Sequence, residues 1–253
     1  MNKILCSDEL NSITSSTYRP ILPGLTPVIC RTIEEIDECM RLRYEEYCLN
    51  RGWEAAHEFP DGRERDRYDE RAVHILLMDN NRNRPVGTVR IIYRRPGGTE
   101  NAGLPSFDWS PEFSTHLRVH ALTNSIIELS RFTVVRSEIG ALTNRSELAR
   151  GIFPALALVK GMLRATAADN VRTAILTTTP SLQRLLAKAG LRFHDIGVRV
   201  EHRGVRIPIY REIPALLAGV YETSPEIWSY VTDNGMTWPL DPSATEMEYR
   251  LSA

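Results

Sequence analysis

No run of eighteen apolar residues occurs anywhere in the 253-residue chain, which removes a membrane-spanning helix from consideration. Net charge is also nearly missing, at -1, so a polyanion-binding surface spread over the whole protein is excluded and only local basic faces remain. The four cysteines, Cys6, Cys30, Cys39 and Cys48, form neither a C-x-x-C pair nor a zinc-ligand spacing and read as reduced thiols. No metal site is expected. Lysine stands only at positions 3, 160 and 188, so almost all positive charge is guanidinium, the group that makes bidentate contacts to carboxylate or phosphate. Internal repeats and low-complexity tracts are absent.

What remains is an ordinary globular composition, 42% hydrophobic and 25% charged, enough for one well-filled core. Residues 1–26 read as a flexible arm, 27–232 as one domain and 233–253 as a tail. Met1 to Gly24 is polar and Ser/Thr-rich, without the apolar centre of a signal peptide, and a cytoplasmic location is expected.

The apolar periods predict a strand over 26–32, an amphipathic helix over 33–50 and a long charged loop over 51–71. A hairpin follows at 72–78 and 86–94, then an irregular stretch with a helical turn near 112–122, and a central strand over 126–135. The next helix lies within 147–169, its start placed near Gly151 so that Pro154 falls in the first turn. A strand over 172–178, a helix over 180–189, a hairpin across Arg203-Gly204 and two short helices complete the order. This is an α/β fold with a mixed central sheet flanked by helices, without the strict alternation of a doubly wound nucleotide-binding fold.

Charges recur at fixed intervals where core packing does not ask for them. They run from Arg43-x-x-x-Tyr47 with Trp53, through Glu64-x-Asp66-x-Tyr68-Asp69 and Gly87-x-x-Arg90, to Glu128-x-Ser130-Arg131-Phe132. Burying a lone charge costs several kcal/mol, so these must be paired with one another or with a ligand.

In order and spacing the four segments resemble the signature of the acyl-homoserine lactone synthases, which have an acetyltransferase-like (GNAT) fold. The closer likeness is to the PEP-CTERM/exosortase-associated acyltransferases, regarded as N-acyl amino acid synthases, through R-Y-E-E-Y-C at 43–48, F-P-D-G at 59–62, A-V-H at 72–74 and the stretch 182–197. The resemblance implies that the strands at 126–135 and 172–178 splay apart to admit an acyl-phosphopantetheine arm. It also implies that Glu128 is the general base, and that Arg43, Asp66, Asp69, Arg90 and Arg131 form a charged cluster. The competing reading of Glu128 is an ion pair with Arg90 or Arg131, and that of the cluster is a lock fastening the charged loop to the sheet.

Regular alternation places Glu128, Ser130 and Phe132 on one face of the strand and Arg131 on the other. Tyr47 and Trp53 either line an acyl tunnel or pack as core aromatics, with core favoured for Tyr47. His74 and Asp79 match an H-x-x-x-x-D acyltransferase spacing. An odd offset of five turns the two side chains to opposite faces of a strand, so that relay is rejected and His74 is a partly buried strand residue near the acceptor side. Arg150, Lys160 and Arg164 share one face of the helix, either a docking surface for an acidic acyl carrier protein or a solvated surface.

The function expected is transfer of a long-chain acyl group from acyl carrier protein to the amine of an amino acid, with no cofactor beyond the donor's phosphopantetheine. The acceptor's carboxylate needs a cation, for which Arg43, Arg90 and Arg131 are candidates. Two alternatives stand beside it: a homoserine lactone synthase using S-adenosylmethionine, and a non-catalytic carrier-binding protein on the same scaffold. Nucleic-acid binding is not expected, because acids interleave the arginines throughout.

Overall fold

The computed structural model describes residues 24–94, 103–119, 125–135, 147–169 and 171–241, without the side chains of 119 and 147–151. Most of the arm and the end of the tail lie outside the described residues. The strands are β1 (Leu25–Ile29), β2 (Ala72–Asp79), β3 (Arg84–Tyr93), β4 (Ile126–Val134), β5 (Thr173–Thr178), β6 (His194–Asp195), β7 (Val200–Glu201) and β8 (Val205–Glu212). They form one open sheet in the order β1-β2-β3-β4-β5-β8-β6, with β7 paired to β8. Among the described residues only the β4–β5 pair is parallel. That pairing runs from Ile126/Thr173 to Leu129/Leu176 and stops, so the two strands part beyond it, as the family resemblance implied.

Period-two alternation divides the sheet into two apolar faces. One carries Ile75, Leu77, Val89, Ile91, Ile127 and Leu129 against α4 (Glu147–Thr166), α5 (Pro180–Ala187) and α6 (Ile213–Thr223). The other carries Ile92, Ile126 and Ile175 against Leu104, Phe107, Phe113 and Leu117 of α2 (Pro105–Trp109), α3 (Pro111–Val119) and the turn before them. The first helix, α1 (Ile33–Tyr44), covers this second face over β2 and β3, and α7 (Pro225–Val231) closes the chain against α4 and α6.

Local chemistry explains several boundaries. Thr32 opens α1 with a reciprocal cap: its Oγ1 accepts from Glu35 N at 3.2 Å while the Glu35 carboxylate accepts from Thr32 N at 3.1 Å. The helix read over 33–50 is not one regular α-helix. It widens into π turns over Glu45–Asn50, and the Tyr47 carbonyl ends the run by accepting from Trp53 N and Glu54 N.

Pro154 is a second correction, because α4 begins at Glu147 and carries the proline in its second turn. Its missing N–H forfeits one backbone bond, a loss offset by the buried run Leu156, Leu158, Val159 and Leu163. Gly161 lets this helix approach the sheet, since a Cβ there would stand 2.8 Å from both Ile75 Cγ2 and Pro27 Cβ.

Candidate active site

Three arginines and three carboxylates form the charged centre. Arg43, fully buried at the end of α1, donates from Nε to Glu64 at 2.5 Å and from both terminal nitrogens to Asp69 at 2.7 and 2.9 Å. Arg90, on β3, grips Asp66 at 2.6 and 3.1 Å, reaches Asp69 at 2.8 Å and donates from Nε to Ser130 Oγ at 3.1 Å. Arg131 bonds Glu64 at 2.8 Å and Asp66 at 3.0 Å. Burial alone would raise the three carboxyl pKa values, yet the hydrogen bonds and charges of the arginines prevail and hold Glu64, Asp66 and Asp69 below the usual carboxylate range. The cluster is neutral as it stands. It fastens the 51–71 loop and α1 to β3 and β4, and all three of its arginines are engaged by carboxylates of the chain.

Arg131 joins this cluster because β4 is bulged. Thr88 pairs with Thr133 and Arg90 with Ser130, so Arg131 and Phe132 together oppose Val89, and Arg131 takes a φ of +52°. The alternation assumed from sequence therefore breaks here. Ser130 and Arg131 both face the cluster, while Phe132 turns to the other side and packs with the core that holds Leu129.

Glu128 stands apart from the cluster. It is 1% exposed and forms no ion pair among the described residues, which overturns the reading of it as a partner for Arg90 or Arg131. Ser106, in the first turn of α2, holds it instead: the backbone N–H donates at 2.9 Å and the hydroxyl at 2.8 Å, and that hydroxyl also meets Thr177 Oγ1 at 2.6 Å. Burial lifts its pKa from an ordinary value near 4.5 to about 7, against the lowering effect of Ser106 and of the Arg90 charge. Nothing in the sequence marked Ser106 beyond a proline before it, since a serine in an irregular stretch gives no periodic signal.

Glu128 opens on a cleft of about 920 Å³ that follows the parting of β4 and β5. Its apolar wall includes Leu129, Phe132, Ala155, Leu176, Leu182 and Leu185. Past Leu129 the β5-facing edge of β4 has no strand partner among the described residues, so its backbone groups face the opening. Tyr47 and Trp53, 5.6 Å apart between ring centroids, line the same cleft, and Tyr47 is buried as the core reading expected. The β7–β8 turn forms a rim, where His202 stacks on Trp109 at 4.2 Å and Arg203 pairs with Glu54.

The remaining predicted residues lie elsewhere. His74 is fully buried opposite Arg90 and beside Asp69, and burial, then the charges of Arg43 and Arg90, lower its pKa against the opposing pull of Asp69. Asp79 is at the far end of β2, accepting from Asn81 N. Lys160 and Arg164 both pair with Asp233, at 2.7 and 2.6 Å, and so tie the segment after α7 to α4. The Arg150 side chain lies outside the described residues. Among the described residues no group of three metal-ligating side chains occurs, and no helix is long and apolar enough to cross a membrane.

Comparison with known proteins places this architecture. Residues 42–138 match the model of the acetyltransferase (GNAT) domain family. No curated protein matches the chain. Among solved structures it is similar to FeeM, an N-acyl amino acid synthase from uncultured soil microbes, with a TM-score of 0.57 and 15% identity over 79% of this chain and 96% of that one. TofI, in a ternary complex with an inhibitor and MTA, gives 0.56 and 20% over 80% and 99%. BjaI, a CoA-dependent acyl-homoserine lactone synthase with SAM and isopentyl-CoA, gives 0.53 and 19% over 81% and 89%. At these identities the likeness is one of fold, and the fold is GNAT-like; together with the domain match it supports an acyltransferase.

Proposed function

We propose that this protein is an N-acyltransferase that moves a long-chain fatty acyl group from the phosphopantetheine thioester of an acyl carrier protein to the amine of a free amino acid. The observation that carries the reading is Glu128, a buried carboxyl group without a cationic partner, held near neutral pKa at the head of a cleft between parting strands. A carboxylate spent on structure would be paired; one poised near pH 7 can take a proton.

The chemistry follows from the groups around it. The amine nitrogen attacks the thioester carbonyl carbon, a C–N bond forms, and Glu128 accepts the amine's proton directly or through water. Backbone N–H groups of the bulged stretch Phe132 to Val134 are suited to hold the oxyanion. The C–S bond then breaks and the thiolate leaves on the carrier, protonated from solvent or Glu128. The apolar wall along Phe132, Leu176 and Leu185 suits the acyl chain. Arg43, Asp66, Asp69, Arg90 and Arg131 act as site organisers, holding Ser130 and the bulge in place.

The F-P-D-G and A-V-H segments favour the exosortase-associated branch and a free amino acid over S-adenosylmethionine, with the reaction in the cytoplasm. Long-chain acyl carrier protein supplied with each of the twenty amino acids or with S-adenosylmethionine, followed by thiol release and product mass, tests this. N-acyl amino acid is the expected product. Homoserine lactone alone would replace this reading with the lactone synthase, and an acyl-CoA requirement would replace the carrier protein.

A further inference from the structure

Five cationic side chains line the cleft, Arg51, Arg131, Lys188, Arg203 and Arg206, against one carboxyl group, Glu128. Three of the cations are committed within the chain. Arg51 leans on Glu46 at 3.4 Å, Arg131 on Glu64 and Asp66, and Arg203 on Glu54. Lys188 is exposed just past α5, with no ion pair or hydrogen bond to its ammonium among the described residues.

Arg206 differs from all of these. It is half-buried, its guanidinium lies 5.1 Å from the Trp53 ring centroid, and its only polar contact among the described residues is a long one, 3.4 Å, to the Val205 carbonyl. Burial, and after it the like charge of Arg203, lower its pKa against the opposing pull of Tyr47 and Glu201.

Its direction follows from the sheet. Glu128 pairs with Ile175, Ile175 with Tyr210 and Thr177 with Pro208, so Tyr210, Pro208 and Arg206 share the face that carries Glu128. Arg206 is four positions from Tyr210, about 13 Å along the strand at roughly 3.3 Å per residue. The cation thus stands at the mouth of the cleft while the base stands at its head.

We propose that Arg206, seated on Trp53, is an anion anchor at the cleft mouth that grips an oxyanion group carried by one of the two substrates. Two sources offer that chemistry, the phosphate at the far end of the donor's pantetheine arm and a carboxylate of the acceptor. The guanidinium lies 5.1 Å from the Trp53 centroid and meets only the Val205 carbonyl among the described residues, which leaves N–H groups for a bidentate contact to either. The inference rests on the acyl-transfer reading for its substrates, and its donor arm can be tested without turnover.

The test uses Arg206→Gln and Arg206→Lys in the full chain. In the donor arm, calorimetry compares binding of 4′-phosphopantetheine with pantetheine. In the acceptor arm, the KM of each acylated amino acid is compared with that of its carboxamide. Arg206→Gln is expected to weaken the anionic ligand of one arm by about 10- to 100-fold. Binding of the neutral analogue should match wild type, and Arg206→Lys should restore part of the lost affinity. The arm that moves identifies the source. Wild-type discrimination between anionic and neutral ligands in both arms would overturn the anchor, whereas a failure to acylate any amino acid alongside a changed donor arm would overturn only the acceptor assignment.

Discussion

Ser106 and burial pull Glu128 in opposite directions, and the balance sets where it titrates. The hydroxyl of Ser106 bonds the carboxylate at 2.8 Å and favours the charged form; removing it leaves burial less opposed. Ser106→Ala should therefore move the alkaline-rising limb of the pH–rate profile upward by about one unit, with the backbone donor still in place. A limb that stays put would show that this hydroxyl does not tune the base. Glu128 stood out in the sequence as a carboxylate inside an apolar strand, and the family resemblance supplied its expected role as base. Ser106 did not stand out, and neither did Arg206: what distinguishes each is a contact between segments far apart in the chain.

At the level of elements, the charged cluster is a fastening between α1, the 51–71 loop and the two central strands. Arg43→Ala would leave Glu64 and Asp69 short of a buried partner. The expected cost is about 3–5 kcal/mol, read as a lower urea midpoint at unchanged slope. A midpoint equal to wild type would mean that the cluster does not lock the loop. Its acid response has a definite sign. The folded-state pKa values of Glu64, Asp66 and Asp69 are depressed, so the stability they contribute is present above the ordinary carboxylate range and is lost as pH falls through the folded values. The sequence announced these pairs through spacing, but the geometry that unites them was hidden. Period-two reasoning assumes an unbroken ladder, and the bulge at Arg131 and Phe132 exchanges the faces on which those two side chains stand. Pro154 misled in the same way, since a local rule about proline gave way to the packing of the long helix around it.

Across the whole molecule the cleft joins the two faces of the sheet. The base and the basic mouth lie on one face, while the apolar wall that suits an acyl chain continues toward α4 and α5 on the other. Leu185 is half-buried on that wall, so Leu185→Trp adds bulk to the cleft without forcing a core side chain aside. The ratio of kcat/KM for long- over short-chain donors should fall by about tenfold, and an unaltered ratio would place the chain elsewhere. The central claim is that Glu128 takes the proton in acyl transfer, and the pH dependence of kcat in wild type and Glu128→Gln tests it most directly. Activity requires the carboxylate, so the wild-type rate should rise with pH through an apparent pKa of about 7. The folded glutamine variant should be slower by about 10²–10⁴-fold and should lose that rise; a folded Glu128→Gln protein with the wild-type rate and profile would contradict the account.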